Sequence, residues 1–166
     1  MISIDEINSV LNSLIFDRTQ SDVDYAAECV KNGVNISGNL KGAYNISDRN
    51  RIGTAVNLIS EYLTEYGVQN AVVKIKDNWV REDIIRRENH DELLSALKFL
   101  KNFLPYAQMT AIPTDLNALT YQKANAIEHV VFDIGGVFAR FMDSWLYCGD
   151  GYASETDYPW NSQGFE

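Results

Sequence analysis

The side chains best suited to acid–base or metal chemistry are few and lie far apart. The two histidines, His90 and His129, have no companion at metal-ligand spacing. An acid–base role needs a second group positioned with the first, so we interpret both as surface or partly packed residues. Cys29 and Cys148 lie outside any CxxC or Cys/His pattern and predict reduced packing residues, not a disulfide or a zinc site.

Two carboxylate pairs could in principle exchange protons, but a simpler account covers both. Asp22 with Asp24 and Asp91 with Glu92 fall where the first turns of predicted helices collect acidic residues. GxSxG, P-loop and HExxH patterns are absent. The sequence therefore predicts no catalytic residue, no metal ligand and no cofactor, which argues against an enzyme.

Composition limits the classes of partner. A chain of 166 residues that is 46% hydrophobic can bury one core, so one domain is expected. With 23 acidic and 14 basic residues, the net charge of -9 repels nucleic acid and anionic lipid. Arg81, Arg86 and Arg87 form the only local basic cluster. We find no run of about 18 apolar residues and no basic-apolar leader, so we expect no membrane span and synthesis in the cytosol.

The stretch from Leu40 to Gly67 is predicted to organise the rest. Ser47 suits a helix N-cap, Asp48 favours the positive end of the helix dipole, and Gly67 suits its end. Between these ends runs one apolar stripe with the 3.6-residue period, made of Ile52, Ala55, Val56, Ile59, Leu63 and Tyr66. Ahead of it, we expect Gly42 to adopt a backbone shape that a side chain would forbid and Tyr44 to fold back onto the first turn.

Four further helices are predicted around this one. The first begins at Ser3, has capping-box spacing, and docks on its own domain or on a neighbouring chain, with the former favoured. The second runs from about Val23 to Gly33. The next covers Leu93 to Leu104, with Asn89 or Asp91 as its cap and Pro105 as the residue that stops it. The last runs from Thr120 to about Phe141. Within the last one, Gly135-Gly136 predicts a kink, a break or a close helix crossing. Ala71 to Lys76 suits a short strand or an extended connection.

The sequence changes character near its C-terminal end. Trp145 to Tyr152 resembles a strand and turn, and Ala153 to Glu166 keeps aromatic residues with few aliphatic ones. The fold class predicted is mainly α: a bundle of about five helices with a short β-like C-terminal element. We divide it into an N-terminal docking helix (1–15), a helical core domain (16–144) and an aromatic, acidic segment (145–166).

The aromatic segment and the first helix are the parts least needed by a central core. The aromatic side chains could complete the core or present an adhesive surface, since aromatics dominate interface hot spots, and stacking on sugar rings is a weaker alternative. The candidate partner-binding residues are therefore Ile4, Ile7, Leu11, Trp145, Tyr147, Tyr152 and Trp160.

Several short blocks occur together in an order that resembles a known family. They are Asp17-Arg18-Thr19 with Asp22-Val23; Leu40-Lys41-Gly42-Ala43-Tyr44-Asn45 with Asp48 and Asn50-Arg51; Trp79 with Asp83 and the helix at Leu93 to Leu104; Leu119-Thr120-Tyr121 with Ala124-Asn125 and Ile127-Glu128; and Trp145-Leu146-Tyr147-Cys148-Gly149. The pattern covers roughly Phe16 to Gly151 and resembles small tail-associated proteins of phages and phage-like contractile particles of Gram-positive bacteria.

The resemblance implies a non-enzymatic component of a tail tip, baseplate or tail fibre. Such a protein would be made in the bacterial cytoplasm and assembled into a virion or phage-like particle, with other tail, baseplate or fibre proteins, or further copies of itself, as partners. A glycan-binding module that recognises the cell surface is the alternative. The structural motif implied is Lys41, Gly42, Ala43, Tyr44, Asn45, Asn50 and Arg51; turn and cap chemistry explains the 41–45 stretch better than a recognition loop does. The chain departs from the pattern in its added first helix, its short 33–39 connection and Arg49.

Overall fold

The computed structural model describes residues 3–34, 40–68, 70–104 and 107–149, with side chains in the last range as far as Phe141. These residues form five helices and no strand. The helices are α1 (Ile4–Asn12), α2 (Gln20–Lys31), α3 (Ile46–Glu65), α4 (Arg87–Asn102) and α5 (Tyr121–Gly149). The prediction of a mainly helical chain with about five helices is confirmed.

Helix α3 lies at the centre of the bundle. Both α1 and α4 pack against α3 and α5, which also contact each other. The predicted stripe of α3 is buried from Ile52 to Leu63, and Tyr62 joins it with 0% of its surface exposed. The largest fully buried apolar side chains come from α1, α3, α4 and α5; they are Ile7, Ile52, Val56, Tyr62, Leu97, Leu100, Ile127, Val130, Val131 and Ile134. Burial of this shared surface is the main stabilising contribution to the fold.

Local caps begin three of the helices, and those of α1 and α5 are the residues that the sequence predicts. Ser3 Oγ accepts from the Glu6 N–H of α1 at 3.1 Å, and Thr120 Oγ1 accepts from the Lys123 N–H of α5 at 3.3 Å. Helix α2 begins at Gln20, three residues before the predicted start at about Val23; Thr19 is its cap, and the Thr19 backbone N–H donates to the Asp22 side chain at 2.8 Å. These side chains bind backbone groups that a helix leaves unpaired at its start.

The caps of α3 and α4 were predicted at the wrong residues. Helix α3 begins with Asn45 as N-cap, not Ser47, because the Asp48 carboxylate reaches back to the Asn45 N–H at 2.8 Å. Helix α4 begins after Arg86, whose N–H donates to the Asn89 side chain at 3.0 Å. In each helix the polar side chain acts from the third position, as in a capping box. A polar residue near a helix start can take either place, so the spacing alone did not decide.

One glycine ends a helix, and two others permit close approaches between elements. Gly67 ends α3 with φ +81°, as predicted. Gly42 is required for a different reason from the one predicted: a Cβ there would lie 1.9 Å from the Asp22 carbonyl oxygen of α2. Gly135 lies at a helix crossing, where a Cβ would stand 2.6 Å from a Leu11 methyl carbon and 3.2 Å from one of Ile59. Of the kink, break or close helix crossing predicted at Gly135-Gly136, the structure has the close crossing, and α5 continues through both glycines.

A polar side of α3 holds the extended segment that follows it. The Asn57 side chain pairs with both backbone groups of Ile75, each at 2.9 Å, and Asn50 does the same with Trp79 at 2.7 and 2.9 Å. Ser60 Oγ donates to the Ala71 carbonyl oxygen at 2.6 Å and accepts from the Val73 N–H at 2.7 Å. Of the two predicted states, residues 71–76 thus form an extended connection, antiparallel to α3.

The prediction of a strand and turn from Trp145 to Tyr152 is wrong for residues 145–149. Helix α5 runs on through these residues, continuing the apolar spacing of its earlier turns past Phe138. The rest of the predicted β-like element and the residues to Glu166 lie outside the described residues.

Candidate functional site

Four charged side chains from distant parts of the chain meet inside the bundle. Arg18 precedes α2, Asp48 and Arg51 lie on the first turns of α3, and Glu128 lies on α5. Glu128 is 0% exposed, Asp48 2% and Arg18 3%. We call these four residues the buried charge cluster. Charged residues are rarely buried so completely unless they are paired.

Glu128 is the common acceptor of the cluster. Its Oε1 accepts from Arg18 Nη2 at 2.7 Å and from Arg51 Nη2 at 2.9 Å. Its Oε2 accepts from the backbone N–H of Ile15 at 2.5 Å. One carboxylate therefore ties α5 to α3 and to the connection between α1 and α2.

Arg18 and Asp48 complete the cluster. Asp48 Oδ1 lies 2.6 Å from Arg51 Nη2 and 3.1 Å from Arg18 Nη2. Arg18 also donates through Nε to the Lys41 carbonyl oxygen at 3.0 Å and through Nη1 to the Ile15 carbonyl oxygen. A guanidinium offers five N–H donors in a rigid fork, and that of Arg18 contacts two backbone carbonyl oxygens and two carboxylates.

The electrostatics of the cluster favour a structural role. Its two positive and two negative charges balance. Burial opposes the charge of Arg51, but hydrogen bonds and charges from Glu128 and Asp48 outweigh it and hold the pKa of Arg51 above its ordinary value. The carboxylates face arginines and backbone N–H groups, so they hold the fold and present no free acid or base to a ligand.

The fold brings the residues of the predicted structural motif to this cluster or beside it. Arg51 belongs to it, Lys41 supplies its carbonyl oxygen, and Arg18 lies 5.9 Å from the ring centre of Tyr44. Burial raises the pKa of Tyr44 above its ordinary value. Gly42 lies against α2, and the remaining members are half-buried Ala43, the cap Asn45 and the Trp79 partner Asn50.

Sequence reasoning missed the pairing of Arg18 with Glu128. A signal existed: Glu128 falls four residues after buried Ala124 and three before buried Val131, within the apolar side of α5. A charge in such a stripe indicates a buried partner. The sequence does not say which of its basic residues that partner is.

The candidate partner-binding residues of α1 are largely inside the fold. Ile7 is 1% exposed and Leu11 4%, both packed in the core, so they are not available to a partner while α1 is docked. Half-buried Ile4 lines a groove of about 450 Å³ beside Phe132 and Gly136 of α5. Trp145 and Tyr147 lie on α5 with side chains beyond the described part, and Tyr152 and Trp160 lie outside the described residues.

The hydrogen bonds of His129 are made outside the cluster. His129 Nδ1 is 2.5 Å from Thr110 Oγ1 and 3.3 Å from Asp133 Oδ2. Burial, followed by the nearby Arg49 charge, lowers the pKa of His90 below its ordinary value. Within the described residues, no three His, Cys, Asp or Glu side chains are grouped so that they could hold a metal ion. No helix in those ranges has the length and hydropathy needed to cross a bilayer.

Comparisons of the chain with models of protein families, with curated proteins and with solved structures found no match.

Proposed function

We propose that this chain is a non-enzymatic structural subunit of a phage or phage-like particle, placed at the tail tip or baseplate, where it links subunits or attaches a fibre. One observation carries the proposal. The blocks that resemble the tail-associated family supply the buried charge cluster: Arg18, Asp48, Arg51 and Glu128 all come from them.

Two further polar contacts also join residues of these blocks. Asn50 and Trp79 belong to two separate blocks and pair through two hydrogen bonds. Asn125, from a further block, pairs with the backbone of Arg18 at 2.8 and 3.1 Å. A pattern made of residues that bind one another specifies a fold, whereas a catalytic pattern would converge on a cleft. This supports a family relationship based on structure and assembly.

Particle incorporation tests the proposal. The chain, carrying a small affinity tag, would be produced in the bacterium that encodes it while particles are induced, and the particles would be purified on a density gradient. We expect the tagged chain to sediment with intact tails at fixed stoichiometry. A chain that remains with free proteins at the top of the gradient would contradict the proposal.

The matched comparison is a chain that ends at Gly149, the last residue of α5. It should keep the helical circular dichroism of the full chain and fail to enter particles, because we place the contact in residues 150–166, which it lacks. If the shorter chain enters particles as efficiently as the full chain, the missing residues do not form the proposed contact. Retention of the purified full chain on cell-wall polysaccharide, lost on Trp160→Ala, would instead favour the glycan-binding alternative.

A further inference from the structure

Residues 71–87 carry a charge opposite to that of the whole protein. This stretch, which we call the basic segment, holds five of the 14 basic residues and three acidic ones, in a chain of net charge -9. Its basic members are Lys74, Lys76, Arg81, Arg86 and Arg87. Positive charge is therefore concentrated where the chain leaves the side of α3 and enters α4.

Among the described residues, part of this positive charge has no ion-pair partner. Lys76 pairs with Asp83 at 2.8 Å, and Arg87 lies 3.8 Å from Asp91 in an exposed pair. No carboxylate in the described ranges lies within ion-pair distance of Arg81 or Arg86, both of which are exposed. Such groups favour an anionic partner.

The same segment exposes apolar side chains. Val72 is 72% exposed, Val80 53%, Ile84 77% and Ile85 37%. These are four of the eight exposed large hydrophobic residues in the described part of the chain. Apolar residues rimmed by charge are typical of a protein contact surface.

The backbone of the segment is also available for pairing. Ser60 and Asn57 bind the backbone groups of Ala71, Val73 and Ile75. In extended chain the next residues direct their N–H and C=O to the opposite edge. No described group bonds to the backbone of Val72 or Lys74, which leaves an edge where an extended peptide can add.

Residues 150–166, the C-terminal segment, have the complementary chemistry. They contain four acidic residues and no basic one, together with four aromatic residues, Tyr152, Tyr158, Trp160 and Phe165. Carboxylates match Arg81 and Arg86, and aromatic rings match the exposed valines and isoleucines.

Arg81 and Arg86 lie at the end of the bundle opposite to the start of the C-terminal segment, although the basic segment itself begins beside Ser60 of α3. Glu128 of α5 bonds to Arg51 of α3, and Gly135 lies against Ile59, so the two helices run in the same direction. Trp79, just before Val80, pairs with Asn50 near the start of α3. Helix α5 ends at Gly149, about 30 Å beyond Glu128 at about 1.5 Å per residue.

This distance disfavours a contact within one molecule. Asp150, Glu155 and Asp157 are three of the four acidic residues and fall within the first eight positions of the C-terminal segment. Eight extended residues cover about 27 Å, so those three carboxylates would need an almost fully extended chain to return to Arg81 and Arg86. In a second copy they need not cross that distance.

We propose that the basic segment of one copy binds the C-terminal segment of a second copy, head to tail. The contact is heterologous, because the two surfaces differ, and repetition produces a ring or a filament according to the angle between copies. This names a partner for the structural subunit and rests on the function proposed above. The particle assay reports incorporation and the following experiment reports contact between purified copies, so either can fail alone.

Sedimentation of the purified full-length chain over a concentration series at low salt tests the contact. We expect the average mass to rise with concentration above the 18.8 kDa monomer. The full-length variants R81E/R86E and D150K/E155K/D157K should each weaken association at least tenfold, since each places like charges together. K31E/K98E changes two exposed basic residues elsewhere and should associate as the wild type does.

Charge exchange then distinguishes contact between copies from contact within one. The variant carrying both sets of changes should associate again, and so should a mixture of the two single-surface variants. A contact within one molecule would leave the wild type and the mixture monomeric at every concentration. That result, or single-surface variants that associate as the wild type does, would overturn the proposal. Unchanged circular dichroism in all variants shows that folding is not the cause.

Discussion

At the scale of single residues, the fold depends on charges placed where charges are seldom found. The buried charge cluster brings two arginines and two carboxylates together, and only Arg51, with 15% of its side chain exposed, reaches the surface. Replacing such a cluster with apolar residues can leave stability unchanged, but removing one member leaves its partners buried and unpaired. Glu128 is the most sensitive member, because Arg18, Arg51 and the Ile15 N–H all depend on it.

Glu128→Ala should lower the free energy of unfolding by about 3–5 kcal/mol, the usual cost of breaking a buried ion pair. Chemical denaturation followed by circular dichroism measures it. Glu61→Ala removes an exposed glutamate of α3 and should change stability by less than about 0.5 kcal/mol. A loss below about 1 kcal/mol for Glu128→Ala would mean that the cluster does not hold the bundle.

His90 should make stability depend on pH in the mildly acidic range. Its pKa is lowered in the folded chain, first by burial and then by Arg49, so the unfolded chain binds the proton more readily. The stabilising effect of neutral His90 is complete above the ordinary pKa of 6.5 and is lost as the pH falls below it. An NMR titration should place the His90 midpoint below 6.5.

The variant His90→Gln should flatten the fall in stability between about pH 7 and pH 5.5, because it removes the group that titrates there. The carboxyl groups with shifted pKa values, such as Asp17 and Asp83, are lowered from 3.8 and titrate below this range. An unchanged pH profile in the variant would assign the dependence to another group.

At the scale of elements, α3 explains how much of the fold the sequence predicts. Its apolar stripe follows the helical period, so the helix and its buried side could be recognised from Ile52, Ile59 and Leu63 alone. Its polar side could not, because Asn50, Gly53, Asn57 and Ser60 bind residues 71–79 through contacts that leave no periodic signal. The cap of α3 lay two residues from its predicted place and that of α4 at least three, because local spacing permits alternatives.

Two glycines inside helices should respond oppositely to substitution by alanine. At Gly53 a Cβ would stand 2.8 to 3.0 Å from the Cβ and Cα of Asp77 and the carbonyl oxygen of Lys76. Gly53→Ala should therefore destabilise the fold by about 1–3 kcal/mol, as overpacking does. At Gly136 nothing lies within 4 Å, so Gly136→Ala should stabilise by up to about 1 kcal/mol through helix propensity. Thermal unfolding of both variants measures the two stability changes. Equal changes in the two variants would contradict the close contact at Gly53.

At the scale of the whole molecule, charge is distributed unevenly. The net charge of -9 disfavours association of like molecules, yet residues 71–87 are locally positive and residues 150–166 entirely acidic among their charged groups. The sequence revealed the arginine cluster but not its distance from the C-terminal segment. That distance depends on the parallel course of α3 and α5, which contacts between remote residues define.

Salt should weaken association of the wild-type chain. Raising the ionic strength from about 0.05 M to about 0.5 M shortens the screening length several-fold, so the steering between opposite charges declines. We expect the apparent dissociation constant from sedimentation to rise about tenfold or more. Association that strengthens with salt would point to a purely apolar contact, such as the groove between α1 and α5.

The position of Glu128 along the chain also affects the order of events during synthesis. When the ribosome has translated the first hundred residues, Arg18, Asp48 and Arg51 have emerged without the carboxylate that two of them share. The nascent chain can then form its early helices only transiently, since short helices are marginal without packing partners. The bundle closes after α5 leaves the exit tunnel, so the last of the five described helices to be translated is the one that makes the earlier ones native.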